Sequence, residues 1–174
     1  MIKFNYIIFI FLTLITFNLA KANENIYFVD LDYLINESLA GKSITAQLKK
    51  EHNNNLSFFK ENENNIKERE SKIISQKNVL TEADFKEKIN KLSVDINNYN
   101  KVKKDRINLI NKKVVSSKKK LLKELNLIIA EYSKNQSISM VIQKKNILIG
   151  KTELDITIPI FKILNNSIKK IQIK

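Results

Sequence analysis

Cysteine and tryptophan are absent from the 174 residues, histidine and proline occur once each, and glycine occurs twice. Without cysteine there are no disulfides, no thiolate metal ligands and no cysteine nucleophile. One histidine, His52, sits among asparagines and cannot assemble a His-based triad or a clustered zinc site. Two glycines cannot wrap a phosphate. Gly41-Lys42-Ser43 follows a strand and opens a helix, but a P-loop needs G-x-x-x-x-G-K-[ST], and Asn36 stands at its first position. Gly41 is read instead as room for close packing. Neighbouring acids such as Glu61 and Glu63 lie two apart on a helix and do not face each other. These absences leave no catalytic residue, cofactor site or metal site, and the chain is not expected to be an enzyme.

So few helix breakers in so long a chain predict long uninterrupted helices and few loops. Acids are also scarce, 18 against 31 lysines and arginines, for a formal charge of +13. With no disulfide to staple it, such a chain depends on packing, and long thin helices pack best against partners.

The N-terminus carries Lys3, an apolar run from Phe4 to Leu19, then Ala20-Lys21-Ala22 and the polar Asn23-Glu24-Asn25. That order reads as a secretory signal peptide over residues 1–22, expected to be cleaved after Ala22 and to export the mature chain. An uncleaved anchor is the other reading, although about sixteen residues fall short of the roughly 20 that a spanning helix needs. Losing Lys3 and Lys21 with the signal peptide lowers the formal charge to about +11.

Three zones follow. Residues 23–38 contain Ile26-Tyr27-Phe28-Val29-Asp30, a strand of the body. Residues 39–133 read as a helical hairpin arm. Its first stripe runs through Ile44, Leu48, Leu56, Phe59, Ile66, Ile73 and Leu80; its second through Phe85, Ile89, Leu92, Ile96 and Tyr99. The turn is placed near 78–82, where Thr81 followed by Asp84 forms a capping box. Lys103 and Arg106 interrupt the seam, which resumes at Ile107, Ile110, Val114, Leu121, Leu125, Ile128 and Tyr132. Residues 134–166 return to strand patterns at Met140-Val141-Ile142 and Ile147-Leu148-Ile149-Gly150, then a short helix with Pro159 in its first turn. Residues 167–174 form a basic tail expected to fray.

The predicted fold is mainly α with a small β part: an antiparallel hairpin arm projecting from a short-stranded body. Three short strands are too few for an independent core, so association of several chains is expected to bury them. Ile26, Phe28, Val29, Leu34, Met140, Ile142, Ile147 and Ile149 are the candidate body contacts.

The arm carries the candidate surfaces. Between Lys101 and Lys123 stand ten basic residues and one acid, Asp105. Lys103, Lys104, Arg106, Lys112 and Lys113 are candidates to face an anionic lipid surface or acidic segments, although Glu61 and Glu63 are placed to pair with Lys101 and Lys103. Phe58, Phe59, Ile66, Phe85, Ile89 and Tyr99 are candidates for an apolar binding surface on the arm. Of these, Phe59, Phe85 and Tyr99 also suit the hairpin seam, and Phe58 lies off it. A Lys-rich coiled coil also suits nonspecific nucleic-acid binding. The secretory signal and only two arginines, Arg69 and Arg106, argue against that role.

Val29-Asp30, then Ser38-Leu39-Ala40-Gly41-Lys42-Ser43 leading to Gln47-Leu48, resembles the Skp/OmpH family. So do Met140-Val141-Ile142, Ile147-Leu148-Ile149 and Leu154-Asp155-Ile156-Thr157 before a closing helix. The resemblance implies a homotrimer with a β-barrel-like body and three arms around a cavity. It implies an ATP-independent holdase for unfolded outer-membrane proteins, and it carries no individual client-binding residue. A structural envelope adaptor is the alternative that the coiled coil alone would support.

Overall fold

The computed structural model describes residues 25–173; the expected signal segment and its cleavage after Ala22 lie outside them. Strand β1 (Ile26–Val29) leads into helix α1 (Leu31–Glu37), the long helices α2 (Leu39–Ser75) and α3 (Glu82–Asn135), strand β2 (Met140–Gln143) and helix α4 (Thr157–Ser167). Among the described residues no helix is long and apolar enough to cross a membrane.

Local chemistry sets the helix starts. The Asp30 carboxylate accepts the Tyr33 N–H at 2.9 Å, and the Ser38 hydroxyl accepts the Gly41 N–H at 3.1 Å. At the arm's tip the Thr81 oxygen accepts the Asp84 N–H at 3.2 Å, while its hydroxyl donates to the Asp84 carboxylate at 2.6 Å. Each cap satisfies a backbone donor that the first helical turn leaves unpaired. At the far end of α3, Ser137 takes a left-handed φ of 53°, and the Ile138 N–H reaches back to the Ser133 carbonyl at 2.9 Å. This is a Schellman ending, with serine where glycine is usual.

At about 1.5 Å per residue, α2 is roughly 55 Å long and α3 roughly 80 Å. Paired as an antiparallel hairpin, they form the expected arm. The strands β1 and β2 run parallel, Ile26 opposite Met140 and Val29 opposite Gln143, so the whole arm is the crossover between them. The other edge of β1 is taken by residues 155–156, where the Ile156 N–H donates to the Phe28 carbonyl at 2.9 Å.

Two sequence expectations change here. Ile147-Leu148-Ile149-Gly150 forms no strand; the second edge of β1 goes to Asp155 instead. The segment follows a 3-10 turn at Lys144–Asn146 and lays Gly150 against the Phe28 ring. Leu148 and Ile149 are left almost fully exposed, at 97% and 89%. The protomer's own core is mainly helical, in keeping with so few strands. Val29, Leu34, Ile44, Leu121, Leu125, Ile160 and Leu164 bury one another, so the protomer packs helices against the arm's root. Of the candidate body contacts, Phe28, Val29 and Leu34 therefore belong to the protomer's own interior, while Ile26 and Met140 stay exposed. Finally, the basic tail is tied down. Ile171 is buried, and the Gln47 amide donates to its carbonyl at 2.7 Å. The isoleucines of the tail outweigh its lysines.

Asp155 joins these parts. Its carboxylate accepts the Thr157 N–H at 2.9 Å and the Lys144 ammonium at 2.8 Å. Burial alone would raise this carboxyl, but hydrogen bonds from Lys144 and Thr157 outweigh it and hold the group below its ordinary value. A depressed carboxyl stabilises the fold above its unfolded pKa, about 3.9, and loses that contribution as pH falls through the lower folded value. Asp155→Asn should therefore destabilise the protein at pH 7. In urea titrations its deficit relative to the parent should shrink towards pH 2; an equal deficit at both pH values would exclude the ionised role.

Candidate functional site

The arm's seam changes character along its length. Near the body, Ile44, Leu121 and Leu125 are buried; near the tip, the buried residues are Ile73 on α2 and Leu92 on α3. Between these layers the only buried residue of α2 is Asn55, and α3 buries none from Leu92 to Ser117. The middle of the arm is a polar zipper.

Its links are specific. Lys113 meets Glu51 at 2.6 Å, Arg106 donates to the Asn55 amide oxygen at 3.0 Å, Lys103 meets Glu63 at 2.7 Å, and Arg69 meets Asp95 at 2.6 Å. The Tyr99 hydroxyl also donates to Glu63 at 2.7 Å. Hydrogen bonds from Lys103 and then Tyr99 hold the Glu63 carboxyl below its ordinary range, and the bond to Glu63 raises the Lys103 ammonium. Burial, followed by that same hydrogen bond, raises the Tyr99 hydroxyl. The Lys113–Glu51 pair is the most enclosed of the ion pairs, its lysine side chain 16% exposed. Exposed pairs of this kind contribute about 0–1 kcal/mol each, so the zipper fixes register more than it adds stability.

The basic candidates consequently divide. Lys103, Arg106 and Lys113 turn into the zipper, whereas Lys104 and Lys112 remain on the exposed surface. The expected partnership of Glu63 with Lys103 is present; Glu61 and Lys101 are exposed and make no ion pair among the described residues.

The aromatic candidates are half-buried in the same stretch. Arg106 stacks on the Phe58 ring with its guanidinium carbon 3.9 Å from the centroid, and Lys103 lies 5.4 Å from the Phe59 centroid. Phe58 therefore packs against the zipper, although its spacing sets it off the stripe. Ile66, Phe85 and Tyr99 are partly covered in the seam, and Ile89 is exposed at the margin.

Two surface features escaped the sequence reading. A groove of about 700 Å³ runs along the arm, with Leu56, Phe59, Ile107 and Ile110 as its apolar part and His52, Lys60, Glu63 and Lys103 among its polar lining. Leu56 and Ile107, expected in the seam, are 51% and 45% exposed. The signal for it was the pair Lys103 and Arg106 at seam positions, whose long polar side chains displace apolar contact. Nearer the body, Val115, Leu122 and Leu127 share a shallow depression on α3 with Lys118, Lys119, Lys120 and Lys123. Among the described residues no group of three His, Cys, Asp or Glu side chains is placed to hold a metal ion.

Residues 25–164 match the family model described as outer membrane protein (OmpH-like). No curated protein matches this sequence. The fold is similar to the crystal structure of a candidate outer membrane chaperone (OmpH-like) from Caulobacter crescentus CB15. The TM-score is 0.82 at 15% identity, covering 89% of this chain and 92% of that one. At that identity the likeness is one of fold.

Proposed function

The chain belongs to the OmpH-like outer membrane protein family, and from that premise we propose that it is a periplasmic holdase. It binds unfolded outer-membrane proteins without ATP, in a space between arms, and keeps them from aggregating. The role is binding, with no chemical step. The observation that carries it is the arm: a long projecting hairpin whose middle leaves aliphatic and aromatic side chains uncovered beside lysines. Such a surface makes many weak, adaptable contacts, which suits clients that differ in sequence. Phe58, Phe59, Ile66, Phe85, Ile89 and Tyr99 are the proposed client contacts.

The working unit in this proposal is a homotrimer. Ile26, Met140, Leu148 and Ile149 leave apolar surface uncovered at the body end, and burying it between protomers would hold three arms around one cavity. Export requires the signal segment of residues 1–22, cut after Ala22. Lys104 and Lys112, with the lysines from Lys118 to Lys123, supply the cationic face for an anionic lipid surface.

The test mixes the purified protein with a urea-unfolded outer-membrane β-barrel and dilutes the urea. Light scattering from aggregates should fall without ATP, and multi-angle scattering should give three chains to one client. Unchanged aggregation would remove the holdase function and favour a structural envelope adaptor.

A further inference from the structure

The mid-arm groove has a shape and a charge that the zipper does not use. Its walls come from both helices: His52, Leu56, Phe59, Lys60 and Glu63 recur along one side of α2, while Lys103, Ile107, Ile110 and Asn111 do so on α3. The span from His52 to Glu63 is roughly 16 Å at the helical rise. That distance accommodates about five residues of extended chain, whose alternate side chains point the same way.

The electrostatics favour one sign of ligand. Glu63, an acid of the lining, is already compensated by Lys103 and Tyr99. Lys60 makes no ion pair among the described residues and is the uncompensated charge of the lining. Glu61 and Asp105, the exposed acids that follow Lys60 and precede Arg106 in sequence, are not part of the lining. An apolar floor with an uncompensated lysine complements apolar side chains flanked by carboxylates.

We propose that this groove, within a single arm, docks one short extended polypeptide segment with apolar side chains at alternate positions and acidic residues at its ends. The inference rests on the holdase reading and places client capture on the arm itself, one segment per groove, rather than only in a shared cavity. Leu56 and Ile107 are the floor contacts. Lys60 is the charge that selects acidic ends.

The experiment uses the full protein and a dye-labelled peptide of alternating valine and phenylalanine with aspartates at both ends, followed by fluorescence anisotropy. Leu56→Gln with Ile107→Gln should weaken binding about tenfold or more, since each removes an apolar contact of a type worth more than a factor of ten when fully buried. Both positions are half exposed, so circular dichroism and the melting temperature should be unchanged. Lys60→Gln should weaken the aspartate-ended peptide while leaving a lysine-ended one unaffected. Val94→Gln, on exposed arm surface outside the groove lining, should change nothing. No peptide binding, equal binding by the double variant, or an equal loss with Val94→Gln would overturn the groove. Aggregation suppression that persists in the double variant while peptide affinity is unaltered would leave the holdase standing and the groove refuted. Groove-dependent peptide binding without aggregation suppression would refute the holdase and keep the groove.

Discussion

Leu121→Ala is expected to lower the unfolding free energy by about 3–5 kcal/mol, the range for a buried leucine whose cavity cannot collapse. Leu121 and Leu125 stand one turn apart on α3, both fully buried, where the arm's root meets the helices of the body. Removing three carbons there loosens the layer that joins α3 to α4 and the buried Ile44 of α2. The comparison is Leu109→Ala, at a position 52% exposed on the same helix. Exposed positions of this kind change stability by less than about 0.5 kcal/mol. Urea melts of the two variants separate the cases. Equal shifts in midpoint would mean that the root is not the seat of stability.

Gly41→Ala is expected to destabilise although alanine is the better helix former. A Cβ built at Gly41 would overlap the Ile35 carbonyl oxygen, a backbone atom of α1. Helix propensity favours alanine by about 1 kcal/mol, while forcing atoms into a packed site costs about 1–3 kcal/mol or more. Here the obstacle is backbone rather than a movable side chain, so the steric cost wins and a net loss of about 2 kcal/mol is expected. Thermal denaturation gives the sign directly. A variant as stable as the parent would show that α1 can retreat from α2 freely, contrary to the Ser38 and Gly41 contact that sets the corner.

That same glycine shows what the sequence made legible. Its place between a strand and a long helix marked it as a packing residue, and the P-loop pattern around it was incomplete. Lys42 instead pairs with Glu37 at 3.0 Å. Thr81 and Asp84 marked the arm's turn because a capping box depends on residues three apart, a purely local requirement. The long helices followed from periodicity and from the scarcity of breakers.

Other features depended on distant partners. Ile147-Leu148-Ile149 has strand composition, but which segment pairs with β1 is decided by distant residues, and the claim of Asp155 and Ile156 on it is invisible locally. The tail was misjudged by its lysines, because nothing nearby indicates that Gln47 will hold the Ile171 carbonyl. Lys103 and Arg106 were recognised as seam interruptions. Their direction was open, since a long cation can reach outward or fold onto a facing acid or amide, and only Glu63 and Asn55 across the hairpin decide it. The groove follows from that choice.

The parallel pairing of β1 with β2 also sets a timetable. Asn25 and Ser137 touch across a sequence separation of 112 residues. Ile26 to Val29 lie at the start of the body, yet their ladder partners follow only after the entire arm. Helix formation within the arm is local and takes about a microsecond, whereas this pairing must close a loop of the whole arm. The hairpin can zip from its Thr81 turn while β1 waits unpaired, so closure of the body is the late, long-range step. A protein proposed to shelter unfolded chains would itself pass through a stage with an unpaired hydrophobic strand.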